Sequence, residues 1–154
     1  MSASGLNDVK LSDLGMSRTL TSSYYRKTAK YKVPAKWMAP ESLFENISTH
    51  ASDVWSSGVL MWEVTSFGSE PYYAFDAEQA VRAIAGGYRM ARPEACSTEL
   101  FVGSREGLQV MMMNLFTCRY DVMLQCWQYE MLERPTFRSL VGTLQDMMDE
   151  ESSL

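Results

Sequence analysis

The pattern of apolar and polar positions divides the chain into a weakly patterned start and a strongly helical remainder. Val9 and Leu11 alternate with polar neighbours in residues 8–13, which predicts a short strand ending at Gly15. Residues 16–36 hold no apolar period and read as a loop of Ser, Thr, Tyr, Lys and Arg. A polar loop of that length inside a compact domain is uncommon and is usually functional or mobile. Pro40 at a first turn predicts a short helix over residues 40–44. Residues 52–66 open with Ser52 as a cap and carry apolar side chains on nearly every face, the pattern of a helix at the centre of a protein, with Gly68 and Pro71 stopping it. Asp76 caps a surface helix with apolar positions at 77, 80, 81, 84 and 85, which Gly86 and Gly87 end. A last helix starting at Pro135 and Thr136 places Phe137, Leu140, Val141, Leu144, Met147 and Met148 on one face. Asp146, Asp149, Glu150 and Glu151 crowd its C-terminal end, where the helix dipole disfavours them, so fraying is expected there.

One stretch breaks the periodicity. With residues 101–119 set aside and Leu100 joined to Tyr120, the side chains of Leu100, Val122, Met123, Cys126 and Trp127 fall at relative positions 0, 3, 4, 7 and 8. Ser97 then caps the helix and Glu99 lies in its first turn. The spacing predicts that 101–119, with its Met111-Met112-Met113 run, is an insertion into a continuous helix. Its abrupt boundaries fit an in-frame retained intron, and a long exposed loop is the rival explanation.

Composition narrows the function classes. The 154 residues carry 14 Lys+Arg against 19 Asp+Glu, a net charge of −5, which argues against nucleic acid as a partner. At 46% hydrophobic and 21% charged, the chain has ample material for a core and none of the signature of disorder. No apolar run reaches the roughly 20 residues a bilayer span needs, so no membrane segment is expected in this chain. Cys96, Cys118 and Cys126 are odd in number without a Cys-x-x-Cys, and His50 is the single imidazole. A disulfide framework and a zinc site are therefore disfavoured, and a reducing, cytoplasmic setting is expected.

Five motifs occur in a recognisable order: Lys10-Leu11-Ser12-Asp13-Leu14-Gly15; Tyr24-Tyr25-Arg26-Lys27; Val33-Pro34-Ala35-Lys36-Trp37-Met38-Ala39-Pro40-Glu41; Ser52-Asp53-Val54-Trp55-Ser56-Ser57-Gly58-Val59; and Cys126-Trp127 with Glu133-Arg134-Pro135-Thr136-Phe137. Together they resemble the C-terminal lobe of a protein tyrosine kinase catalytic domain, most similar to receptor kinases of the fibroblast-growth-factor, RET and Tie kinds. The resemblance implies a mainly α fold: an incomplete kinase C-terminal lobe with a short N-terminal strand, an activation loop over 13–41 and a helical lobe over 42–151.

The implied roles attach to individual residues. Asp13 resembles the Mg²⁺-holding aspartate of the Asp-Phe-Gly motif, with Leu14 in place of the usual Phe. Tyr24 and Tyr25 resemble the activation-loop phosphorylation switch, which is favoured over the plainer reading of two exposed turn tyrosines. The Lys and Arg residues at 26, 27, 30, 32 and 36 are either a solvated face or a docking patch for acidic substrate. Val33, Pro34, Ala35, Lys36 and Trp37 resemble the substrate groove, and Glu41 with Arg134 the buried ion pair behind it. Asp53 resembles the helix-start aspartate that anchors the catalytic loop, and is otherwise a first-turn carboxylate favoured by the dipole. Ser57 stands where an aromatic is usual, a change that in a dry core costs about 2–4 kcal/mol. His50, the Met run and the central tryptophans read as packing or surface.

The chain contains no Gly-rich phosphate loop, no nucleotide-clamping Lys with its Glu, and no His-Arg-Asp catalytic loop, elements phosphoryl transfer requires together. The expectation is that Met1 is an internal methionine, with the catalytic base encoded just upstream. By resemblance the complete domain uses ATP and Mg²⁺, acts on protein tyrosine and forms a kinase dimer, in a parent that is a plasma-membrane receptor with its kinase on the cytoplasmic side. This chain alone is expected to be inactive. The alternative is a non-catalytic kinase-like fragment that binds substrates or an intact kinase.

Overall fold

Helix α2, His50–Thr65, is the element on which the others are built. Its cap is Thr49, not Ser52: the Thr49 hydroxyl accepts from the Ser52 amide, and the Ser52 hydroxyl accepts in return from the Thr49 amide. The cap therefore lies three residues before the predicted one. It ends where Phe67 and Gly68 both turn into the left-handed region, with Phe67 N–H bonding Val64 O and Gly68 N–H bonding Glu63 O. Phe67 occupies a position that favours glycine, and its side chain is exposed.

The computed structural model describes residues 12, 14–17, 23–26, 33–93 and 120–152. The predicted strand over 8–13 with Asp13, the Ser97 cap and the predicted insertion 101–119 lie outside the described residues. The remaining described elements are α1 (Pro40–Phe44), α3 (Ala77–Ala85), α4 (Tyr120–Cys126) and α5 (Phe137–Ser152), with single 3-10 turns at Leu14–Met16, Ala35–Trp37 and Met131–Glu133. Two strands of two residues each, β1 (Tyr25–Arg26) and β2 (Ile47–Ser48), pair antiparallel with Tyr25 opposite Ser48. The sequence reading had no strand here, because two residues are too few to show alternation.

α1 carries Pro40 at its first turn, as predicted. α3 is capped by Asp76, whose carboxylate accepts from the Gln79 amide while the Gln79 side chain accepts from Asp76 N–H. Gly87, at φ +85°, closes it, with Gly87 N–H to Ile84 O and Tyr88 N–H to Ala83 O. Thr136 caps α5 through its hydroxyl, which accepts from the Ser139 amide.

The core forms where α2 crosses α4. Val54, Trp55, Val59 and Trp62 of α2 pack with Val122, Met123 and Cys126 of α4 and with Trp127, Ile84 and Met90. Gly58 lies at the crossing because a Cβ there would stand 2.7 Å from Cys126 Cβ and 2.8 Å from Trp127 Nε1. Two expectations fail. Among the described residues Ser57 is half-buried rather than in a dry core, and its hydroxyl donates to Asp53 O at 2.9 Å. Of the predicted apolar face of α5, Leu140 is buried and Met147 half-buried, whereas Phe137, Val141 and Leu144 are exposed.

Candidate functional site

The segment 33–37 is shaped by its own proline. Pro34 (φ −76°, ψ +73°) sits at the centre of an inverse γ-turn in which Ala35 N–H bonds Val33 O at 2.9 Å. A 3-10 turn follows, with Trp37 N–H to Pro34 O at 3.0 Å and Met38 N–H to Ala35 O at 3.2 Å. The segment is held to the helical body by side chains on both edges. Trp37 Nε1 donates to Glu63 Oε2 at 2.8 Å, and Ser56 Oγ donates to Trp37 O at 2.9 Å. Lys36 Nζ donates to Glu70 Oε1 at 2.7 Å and more weakly to Tyr72 O at 3.4 Å. The Lys36 charge is thus neutralised within the chain, which takes it out of the basic cluster read from sequence.

Behind this segment lies Glu41, in the first turn of α1. Arg134 reaches it across 93 positions of sequence with two parallel bonds, Nη1 to Oε1 at 2.7 Å and Nη2 to Oε2 at 2.9 Å. The other three guanidinium N–H groups go to Gln128 O, Ala51 O and Tyr129 O, so all five donors of Arg134 are used. Its side chain is fully buried, with the guanidinium 5.1 Å from the centre of the Trp55 ring. Arg89 approaches the same ring at 4.7 Å. Ser52 Oγ donates a further bond to Glu41 Oε1 at 2.7 Å. Burial pushes the Glu41 carboxyl up, but the hydrogen bonds from Arg134 and Ser52 outweigh it and hold the group below its ordinary value.

Tyr24 is exposed; Tyr25 is half-buried as the first residue of β1, and Arg26 beside it is exposed. Asp53 is exposed in the first turn of α2, its amide bonded to Thr49 O and its carbonyl taken by Ser57. The geometry brings Val33, Pro34, Ala35, Lys36, Trp37, Glu41 and Arg134 onto one connected framework. The reading from sequence missed Glu63, Ser56 and Glu70 as the anchors of that framework. A signal existed for Glu63, which is the sole charged residue over 54–69.

The turn over 33–37 and the Glu41–Arg134 pair both fall in the motifs that resemble the helical lobe of a protein kinase. The sequence matches the family model for protein tyrosine and serine/threonine kinase over residues 4–144, and the chain belongs to that family. The described residues form part of the C-terminal lobe of that fold, and the family acts on protein substrates. Its members in general use ATP and Mg²⁺. Asp13, the expected metal ligand, lies outside the described residues, and among those described no three His, Cys, Asp or Glu side chains gather as a metal site. Among the described residues, no helix is long and apolar enough to cross a membrane.

Proposed function

We propose that the chain is the substrate-holding lobe of a protein tyrosine kinase of receptor type, whose complete domain transfers the ATP γ-phosphoryl group to a tyrosine hydroxyl. The observation that carries this reading is the fixation of Trp37, by indole and by carbonyl, on one face of α2. A phenolic acceptor stands farther from its own backbone than a serine hydroxyl does. A lobe serving tyrosine must hold the peptide backbone back from the catalytic base, and the rigid 33–37 turn supplies such a wall. Phosphoryl transfer depends on that positioning. Tyr24 and Tyr25 serve as the switch, Asp13 as the Mg²⁺ ligand of the complete domain and Asp53 as an anchor. The parent places its kinase on the cytoplasmic side and works as a dimer.

On its own the chain is inactive, because the phosphate loop, the nucleotide-clamping Lys and the catalytic loop are not in its sequence. The same observation favours a second reading, a non-catalytic module that binds substrates or an intact kinase. The test is to incubate the purified 154-residue chain with Mg²⁺-ATP and tyrosine- or serine-containing peptides, and to measure peptide binding by fluorescence anisotropy. The expected result is no phosphate transfer, with tyrosine peptides bound more tightly than serine peptides. ATP-dependent phosphorylation would refute the inactivity, and equal binding of the two peptides would refute the tyrosine preference.

A further inference from the structure

Glu63 stands alone as a charge in an otherwise uncharged stretch of α2, between Trp62, which is buried, and Val64, which is exposed. Side chains seven residues apart on a helix share a face, and Ser56 and Glu63 do so. Both of their side chains reach one residue, Trp37, the first through its carbonyl at 2.9 Å, with a longer bond to Ser52 O at 3.2 Å, and the second through its indole at 2.8 Å. The body they stand on is fixed, since Trp62 Nε1 bonds Ala91 O at 2.8 Å beside Glu63. On the other edge of the turn, Lys36 is bonded by Glu70. The loop carrying Glu70 has Phe67, Gly68 and Tyr72 in the left-handed region at φ +55°, +82° and +50°. A non-glycine side chain in that region needs surrounding contacts to hold it.

We propose that Glu63 is a positioning residue for peptide specificity: it sets the orientation of the Trp37 ring as the groove wall, while the Lys36–Glu70 pair closes the turn from the opposite edge. This rests on the reading of residues 33–37 as the peptide groove. Glu63 acts through Trp37 and not on the peptide itself. A charged acceptor holds an indole N–H more strongly than a neutral one. Gln at 63 retains an acceptor at the same reach, and Leu retains only the volume.

The experiment uses the full 154-residue chain with ¹⁵N-labelled tryptophan, the Trp37 indole signal being assigned by its loss in Trp37→Phe. Hydrogen exchange at that indole and anisotropy with a labelled tyrosine peptide are measured in parallel. Glu63→Leu is expected to speed indole exchange and weaken peptide binding about tenfold each, the size of one charge-assisted hydrogen bond. Glu63→Gln is expected to restore most of both. In the Trp37→Phe background, Glu63→Leu is expected to add no further loss of affinity. Additive losses in the double variant would overturn the proposal, since Glu63 would then act independently of Trp37. Wild-type affinity in Glu63→Leu despite faster exchange would overturn it as well. Absence of peptide binding by the wild-type chain would instead sink the groove reading, and the exchange rate would still decide whether Glu63 holds Trp37. If Glu63→Leu does not fold, Glu63→Asp, which withdraws the carboxylate by one methylene, carries the same comparisons.

Discussion

Replacing Arg134 by Lys keeps the positive charge and removes the fork. The guanidinium makes five bonds, two to the Glu41 carboxylate and three to the carbonyls of Gln128, Tyr129 and Ala51, in a fully buried position. An ammonium offers three donors from a single point, so it cannot serve both Glu41 oxygens and three carbonyls that lie in different directions. At least two acceptors lose their partners. Each buried group left unpaired costs about 1–3 kcal/mol, and part of the charge-assisted pair is lost as well, for a total of about 3–5 kcal/mol. Against the roughly 5–15 kcal/mol of a typical domain, that is a large share of the whole.

Urea unfolding followed by far-ultraviolet circular dichroism gives the loss directly. Tryptophan fluorescence adds a local readout, because the Trp55 ring lies 5.1 Å from the guanidinium. Arg134→Met should cost at least as much, since it leaves Glu41 buried with Ser52 as its remaining side-chain partner. Adding Glu41→Gln to Arg134→Met should recover part of the loss, the two sites being coupled. An Arg134→Lys variant within about 0.5 kcal/mol of wild type would show that the charge alone matters, and the argument from fork geometry would be wrong.

Two further outcomes follow from the same packing. The Glu41 carboxyl is held below its ordinary value of 4.5 when folded, so its stabilisation is complete above 4.5 and is lost as pH falls through the lower folded value; acid titration of stability should show this loss in wild type and not in Glu41→Gln. Gly58→Ala should destabilise by about 1–3 kcal/mol, reduced by up to about 1 kcal/mol of gained helix propensity, because its Cβ would meet Cys126 Cβ at 2.7 Å; a chemical-denaturation midpoint equal to wild type would refute the close α2–α4 crossing.

Legibility from sequence followed the range of each interaction. α3 was readable end to end because its signals are local: Asp76 with Gln79 three positions on, and Gly86-Gly87 at the close. The cap of α2 was placed three residues late because its capping box is Thr-x-x-Ser, and a serine in the return position looks like a cap in its own right. β1 and β2 left no pattern, each being two residues long. Glu41 and Arg134 are 93 residues apart, beyond any local rule, and entered only through the family resemblance. Trp37 and Glu63 are 26 apart and had no such help. The clue was a lone carboxylate in an apolar helix, a place where an unpartnered charge is costly.

The pattern of α2 nonetheless carries more than the described residues use. Its apolar side chains run nearly all round, yet burial falls on one side only, with Val54, Trp55, Gly58, Val59 and Trp62 inside. On the opposite stripe Leu60 is 53% and Val64 66% exposed, with Ser57 half-buried one turn before. The stripe and the framework of Trp37, Glu41 and Arg134 depend on different faces. Trp37 is bonded through Ser56 and Glu63, and Arg134 through Ala51 and the ring of Trp55, all on or beside the covered side. No bond to Trp37, Glu41 or Arg134 given by the described residues comes from Leu60 or Val64. The 33–37 turn and the Glu41–Arg134 pair are therefore organised by contacts among the described residues. Covering the open stripe would add hydrophobic stabilisation, on the order of 1.5–3 kcal/mol for each large side chain fully buried, without supplying the geometry around Trp37.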